Sequence, residues 1–227
     1  MSRSAIQFQK GLSLLEFQRL FGSEEQCEAA LEKTRWPDGF RCPRCDGHDH
    51  GLVYGRRRKR YQCRNCGHQA TLTAGTIMQA TKLPLTTWFL AFYMIGQAKN
   101  GISSLELSRH LGVKSDTAWL LHNKILRAMA EREEGYLLRG KIQMDDSYLG
   151  GERPGGKAGR GSENKFPIVA AVSLNEAGHP IHAKITAVSG FSSQAIADWA
   201  KRHLAPGSHV LSDGLACFRA VTTANCH

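Results

Sequence analysis

Four cysteines in two close pairs constrain this chain more than any other feature. Cys42 and Cys45, seventeen intervening residues, then Cys63 and Cys66 form a C-x2-C…C-x2-C array. Each pair makes a tight knuckle whose thiolates occupy two corners of a tetrahedron, and four sulfurs at about 2.3 Å leave no open position on Zn²⁺. The predicted site is therefore structural, and the stretch between the knuckles is expected to form a hairpin. A ribbon of this size buries too little apolar surface to fold unaided, so metal binding supplies much of its folding energy. His48, His50 and His68 stand nearby as substitute ligands, but four cysteines already fill the sphere. Cys27 reads as a small core residue of a helix, and Cys217 and Cys226 as thiols without metal partners.

Between the knuckles run Arg56, Arg57, Arg58, Lys59 and Arg60, with Arg64 just beyond. Contiguous cations on a metal-stiffened hairpin suit a phosphate backbone, where each contact releases condensed counterions. Such contacts position a protein on nucleic acid and do not read base sequence. The whole chain has 30 Lys and Arg against 20 Asp and Glu, a net charge of +10 and a pI near 9.5. Of that excess, +7 falls in residues 1–135 and +3 in 136–227. An acidic polymer is the expected partner, with solubility the competing explanation of the charge. The N-terminus lacks the apolar core of a secretory signal. The longest apolar run, Trp88–Ile95, is far short of the roughly 20 residues that span a bilayer. These features read as a soluble, cytoplasmic protein without a membrane segment.

In chain order, Leu12–Phe21 has helical apolar spacing, and Ser23 with Gln26 makes a capping box for a second helix through Arg35. Leu83–Ala98 reads as a buried helix with Pro84 in its first turn and Trp88, Phe89, Phe92 and Tyr93 as core. Ser103–Leu111, a turn at Gly112 and Val113, and Ser115–Met129 have the pattern of a helix-turn-helix, with Ser103 and Glu106 as a capping box and Ser115 as the second cap. In that reading the second helix presents Asp116, Thr117, Trp119, His122 and Asn123 to a major groove, and Thr117, His122 and Asn123 are the candidate DNA contacts. Glu131–Gly135 is taken as an acidic linker.

Beyond it the composition changes. Lys141–Gly151 (KIQMDDSYLGG) alternates as a strand, and His209–Ser212 is a second strand running into Asp213. Carboxylates at the ends of two strands, if those strands are neighbours, can hold divalent metal for in-line attack on a phosphodiester. Acidic residues after strands also serve simply as caps and turn formers. Glu152–Lys165 reads as a flexible basic loop, Phe166–Leu174 and Pro180–Val188 as strands joined by a turn, and Ser192–Leu204 as a helix capped by Ser192. The order β, loop, β, β, α, β resembles the start of a ribonuclease-H-like α/β domain.

Taken together, the stretches RWPDGFRCPRC (35–45), YQCRNCG (61–67), GTIMQATKLP (75–84) with Trp88, DDSYLGG (145–151) and Ser212–Gly214 resemble a bacterial insertion-sequence transposase. The resemblance is to the group with an N-terminal zinc ribbon, a helix-turn-helix and a DDE catalytic domain. It implies Mg²⁺-dependent cleavage at the element's ends followed by strand transfer into target DNA. It also implies recognition of terminal inverted repeats, assembly as a homo-oligomer on DNA and a place at the bacterial nucleoid. It puts the first metal-directed carboxylate on Asp145 and the second on Asp213. Strand alternation instead groups Asp146 with Ile142 and Met144 and offers Asp146 as the alternative to Asp145, only one of the two being expected to face the metals.

The family's third metal-directed residue, glutamate or asparagine on a later helix, has no counterpart, since Glu152 and Glu163 lie between the two aspartates. The chain therefore reads as a truncated transposase, weak or inactive in cleavage, with an unpaired sheet edge and uncovered apolar surface; the alternative is a zinc-dependent DNA-binding protein without catalysis. The expected architecture is multidomain α+β: N-terminal helices (1–36), zinc ribbon (37–75), helix-turn-helix domain (76–135) and an incomplete ribonuclease-H-like domain (136–227).

Overall fold

The computed structural model describes residues 11–55, 59–150 and 165–227. The described chain is mixed α+β and forms two compact units, one running through Met129 and the other beginning at Ala130.

In the first unit, α1 (Leu14–Phe21) and α2 (Glu24–Arg35) each begin with a reciprocal capping box, Ser13 with Glu16 and Ser23 with Gln26. Such a cap contributes about 1 kcal/mol by satisfying amides that have no partner within the helix. The ribbon follows as a three-stranded antiparallel sheet, β1 (His50–Tyr54), β2 (Lys59–Cys63) and β3 (Gln69–Ala70). Its small core is Phe40, Tyr61, Ala70 and Leu72 around Cys42 and Cys63. Next comes α3 (Leu85–Gln97), where Pro84 occupies the cap position and offers no side-chain acceptor. The Glu24 carboxylate takes that role from a distance, accepting from the Leu85 and Thr86 amides at 2.9 and 3.2 Å. Trp88, Leu85, Leu107, Leu121 and Ile125 then form the core shared by α3, α4 (Ser104–Leu111) and α5 (Ser115–Glu134).

Two details of α5 depart from the sequence expectation. Ser115 is the first residue of α5 and not its cap, and the helix continues through residues 131–134, taken above as a linker. Alanine, glutamate and arginine between Ala128 and Glu134 are strong helix formers, so the acidic composition that suggested a linker extends the helix instead.

The second unit holds a four-stranded sheet in the order β6-β5-β4-β7. Strands β4 (Lys141–Leu149), β5 (Phe166–Leu174) and β6 (Pro180–Ala187) form an antiparallel meander. After α6 (Ser193–His203), β7 (His209–Leu211) pairs parallel to β4. One face of the sheet packs on α6 and on a 3-10 helix (Ala216–Ala224) that the sequence reading did not foresee, burying Ile142, Met144, Val169, Trp199 and Phe218. The edge expected to be unpaired is partly occupied: the Val210 amide donates to the His227 carbonyl, and the His227 amide donates to the Ser208 carbonyl.

Lys184 is buried on β6. Its ammonium donates to the Glu133 carbonyl in the last turn of α5 and lies 4.5 Å from the centre of the Tyr136 ring. A cation at a helix C-terminus offsets the unpaired carbonyls there, which makes this burial tolerable.

Candidate functional site

Two groups of metal-type ligands occur among the described residues. The first is Cys42, Cys45, Cys63 and Cys66, whose sulfurs all lie within 4.8 Å of one another. Cys42 and Cys66 are 3.7 Å apart, and Cys45 and Cys63 are 3.5 Å apart. A tetrahedron with Zn–S bonds of 2.3 Å has edges of about 3.8 Å, so the sulfurs stand nearly where zinc requires them.

Both knuckles turn in the same way. The Asp46 amide donates to the Cys42 carbonyl and the Gly67 amide to the Cys63 carbonyl, with φ of 57° at Asp46 and 68° at Gly67. Left-handed backbone at these two positions suits glycine and is tolerated by aspartate. Burial pushes the Cys42 thiol up, but amide donation from Arg44 and Cys45 and the neighbouring thiols outweigh it and bring it down to about 7. The Gly47 amide favours the Cys45 thiolate, yet Cys66, Cys63 and burial push that group up to about 12. A divalent cation takes all four sulfurs as thiolates, so its binding releases their protons.

The second group is Asp145, Asp146 and Asp213, with one carboxylate oxygen of each within 4.8 Å of the other two. Strand register explains the convergence. Lys141, Ile142 and Gln143 pair with His209, Val210 and Leu211, and the same offset carries Asp213 level with Asp145. Pairing stops at Leu211, so Asp213 lies at the strand's edge and not over one face. Carboxylates from both faces of β4 come within reach of it. Asp146 continues the core-facing row of Ile142 and Met144 and is half-buried; Asp145 is exposed and accepts from the Asp146 amide at 2.8 Å. Asp213 accepts from the Leu215 amide at 3.2 Å. Three carboxylates this close repel one another unless a cation lies among them, and carboxylate oxygens are the ligands that a hard divalent ion takes. Among the described residues no further histidine, cysteine or acidic side chain joins the group. Cys217 lies nearby, its thiol pushed up by burial and by the charges of Asp146 and Asp213, and so kept protonated.

Comparison with known proteins decides the family. A transposase zinc-ribbon domain matches residues 22–69, and an ISXO2-like transposase domain matches residues 137–227, together more than half of the chain. The chain is also 28% identical over 167 residues to an uncharacterized protein in transposable element ISH50 of Halobacterium salinarum. The chain belongs to the insertion-sequence transposases with an N-terminal zinc ribbon. The alignment covers 66% of this chain and 55% of the relative, so the transposase chain described here spans about half the length of that protein.

The cationic run of the transposase ribbon divides. Arg56, Arg57 and Arg58 lie outside the described residues, as do Glu152 and Glu163. Lys59 turns inward, its ammonium 3.1 Å from Glu32 and 3.6 Å from Glu28. Arg60 and Arg64 are exposed, the former donating to Gln69 and the latter 3.8 Å from Asp49. Strand alternation accounts for the split, since Lys59 shares a face with buried Tyr61 and Cys63.

On α5, His122 is half-buried and joins Ser104 of α4 at 3.1 Å, so it helps hold the helix pair together. Thr117 is half-buried, and Asn123 is exposed while donating to the Trp119 carbonyl. The outward face of the helix instead carries Asp116, Trp119, Leu126 and Arg127 around Asn123. Lys59, His122 and Lys184 each look like surface groups in the sequence, and only their partners on other elements show otherwise. No helix of the described residues is long and apolar enough to cross a membrane.

Proposed function

We propose that the chain acts on DNA as an insertion-sequence transposase, with the ribbon and the α4–α5 pair holding the element's terminal inverted repeats and the acidic group acting at the scissile phosphodiester. The observation that carries the reading is the convergence of Asp145, Asp146 and Asp213 from two strands that pair in parallel. Asp145 and Asp213 are the proposed ligands of Mg²⁺, and Asp146 adds negative charge from the core-facing side. Bound there, the metal would activate the attacking oxygen and offset the charge that develops at phosphorus. Water attacks first, releasing a 3′-hydroxyl that then attacks target DNA.

In this reading α4 and α5, joined across Gly112 at φ 63°, form a helix-turn-helix, and the sheet with α6 is the opening part of a ribonuclease-H-like domain. Working assemblies are multimers of the chain on DNA, formed in the bacterial nucleoid.

A second reading, zinc-dependent DNA binding without catalysis, is favoured by one observation: the four ribbon sulfurs stand close to zinc geometry independently of the acidic group. On either reading the chain binds end DNA, and the two differ in whether it cuts. Incubating it with a plasmid carrying the DNA that flanks its gene, with Mg²⁺ or with chelator, separates the two. Metal-dependent nicking at the element's ends that disappears in Asp145→Asn and Asp213→Asn supports the transposase reading. Tight binding without nicking at any Mg²⁺ concentration supports the second.

A further inference from the structure

The stretch from Gly75 to Pro84 carries part of the family resemblance and has no role in the function proposed above. It folds as a series of turns between the ribbon and α3. Its segment Ala80–Lys82 lines two open clefts at once. One, of about 550 Å³, runs beside Arg60, Thr71 and Thr73 of the ribbon. The other, of about 370 Å³, runs beside Gln79 and reaches Thr117 and Lys124 of α5. Because both share Ala80, Thr81 and Lys82, they form one groove from the ribbon's second strand to α5.

The turn that joins them is fixed. Ala80 has φ 57°, a left-handed conformation that is costly for a residue with a Cβ and persists only where neighbours hold it. The Thr81 hydroxyl supplies that hold, accepting from the Trp88 indole N–H at 3.0 Å and from the Leu83 amide at 3.1 Å. Trp88 is itself 2% exposed in the core. Lys82 is therefore presented at the surface from a rigid base.

The charges along the groove are Arg60, Lys82 and Lys124, with Glu24 as the one acidic lining residue. Glu24 is engaged by the Leu85 and Thr86 amides at the positive end of α3, which offsets its charge. What remains is a cationic track with hydroxyl and amide groups at intervals, the set that contacts a phosphate backbone.

We infer that this groove is a duplex-DNA backbone track in which Lys82 is the phosphate contact bridging the ribbon and α5, so that both bind one continuous duplex. The inference rests on the DNA-binding reading above and adds to it a path and a residue.

The test uses the full chain, a duplex of about 30 base pairs of arbitrary sequence, and the salt dependence of binding. Each lost phosphate contact lowers the slope of log K against log salt by about 0.9. Lys82→Gln and Lys124→Gln should each remove about one contact and the double variant about two, while Lys82→Arg keeps the slope. Exposed Lys99, which lines neither cleft, serves as control, and Lys99→Gln should leave the slope unchanged. Zinc content and circular dichroism confirm that each variant is folded. Wild-type slope in folded Lys82→Gln overturns the track. Absence of salt-dependent binding by the wild-type chain overturns the DNA-binding reading itself, and the two failures are distinct.

Discussion

The ammonium of Lys59 lies 3.1 Å from the carboxylate of Glu32, joining the ribbon's second strand to the second helix. The pair is partly buried, so it is less screened than a surface ion pair. Lys59→Met should lower stability by about 1 kcal/mol and leave the salt slope of DNA binding unchanged, whereas Arg60→Gln should lower that slope by about 0.9. Denaturant melts and salt titrations of the two variants check this; a slope change in Lys59→Met would mean that its charge reaches the nucleic acid.

The ribbon should depend on metal. Chelation, or Cys63→Ser, is expected to remove the near-ultraviolet signal of Trp36 and Tyr61, which pack edge to face 4.7 Å apart beside the knuckles. The second unit should keep its helix signal under the same treatment. Loss of all structure at once would show the two units to be coupled.

These two cases also mark what can be read from the sequence. The cysteine array was legible because ligand spacing is a local property, and so were Ser23, Ser103 and Ser192 as acceptors at helix starts, whereas Ser13 caps a helix that the apolar spacing starts one residue before it. The Glu24 cap on α3 was not legible, because its donor and acceptor are joined only by tertiary packing. The same reason hides Lys184, whose partners lie on α5 and at Tyr136. For the acidic group the residues were legible and the geometry was not. Pleat alternation separates Asp145 from Asp146, but the parallel register places Asp213 where both can reach it.

Crowding of those carboxylates gives opposite effects with and without metal. In the absence of divalent ions, Asp145→Asn and Asp213→Asn should each raise the melting temperature, since each removes a repelling charge. Adding Mn²⁺ or Mg²⁺ should stabilise the wild type and not Asp213→Asn. Calorimetry in both conditions decides; Asp146→Asn abolishing the metal response while Asp145→Asn preserves it would reverse the assignment of the ligand on β4.

His203 introduces a pH dependence. Burial, with Lys184 and Arg202 nearby, depresses its imidazole from 6.5 to about 4, and its Nδ1 is buried without a hydrogen-bond partner among the described residues. The unfolded chain therefore binds a proton there that the folded chain refuses, so its contribution to stability is intact above pH 6.5 and declines as the pH falls toward 4. Melting temperature of the wild type should drop across that window, and His203→Phe should flatten the drop. Parallel profiles for both proteins would sink the assignment.

The parallel junction of β4 with β7 also sets an order in time. The antiparallel meander closes through short connections, but Asp213 reaches Asp145 only after the intervening strands and α6 have been made and the long loop between them has closed. Such distant pairings form slowly, and a chain leaves the ribosome N-terminus first. The cysteine knuckles and the helix pair are complete while the acidic group is still a single strand's worth of charge. On the proposed function, a growing chain thus acquires the means to grip a polyanion well before it acquires the means to break one.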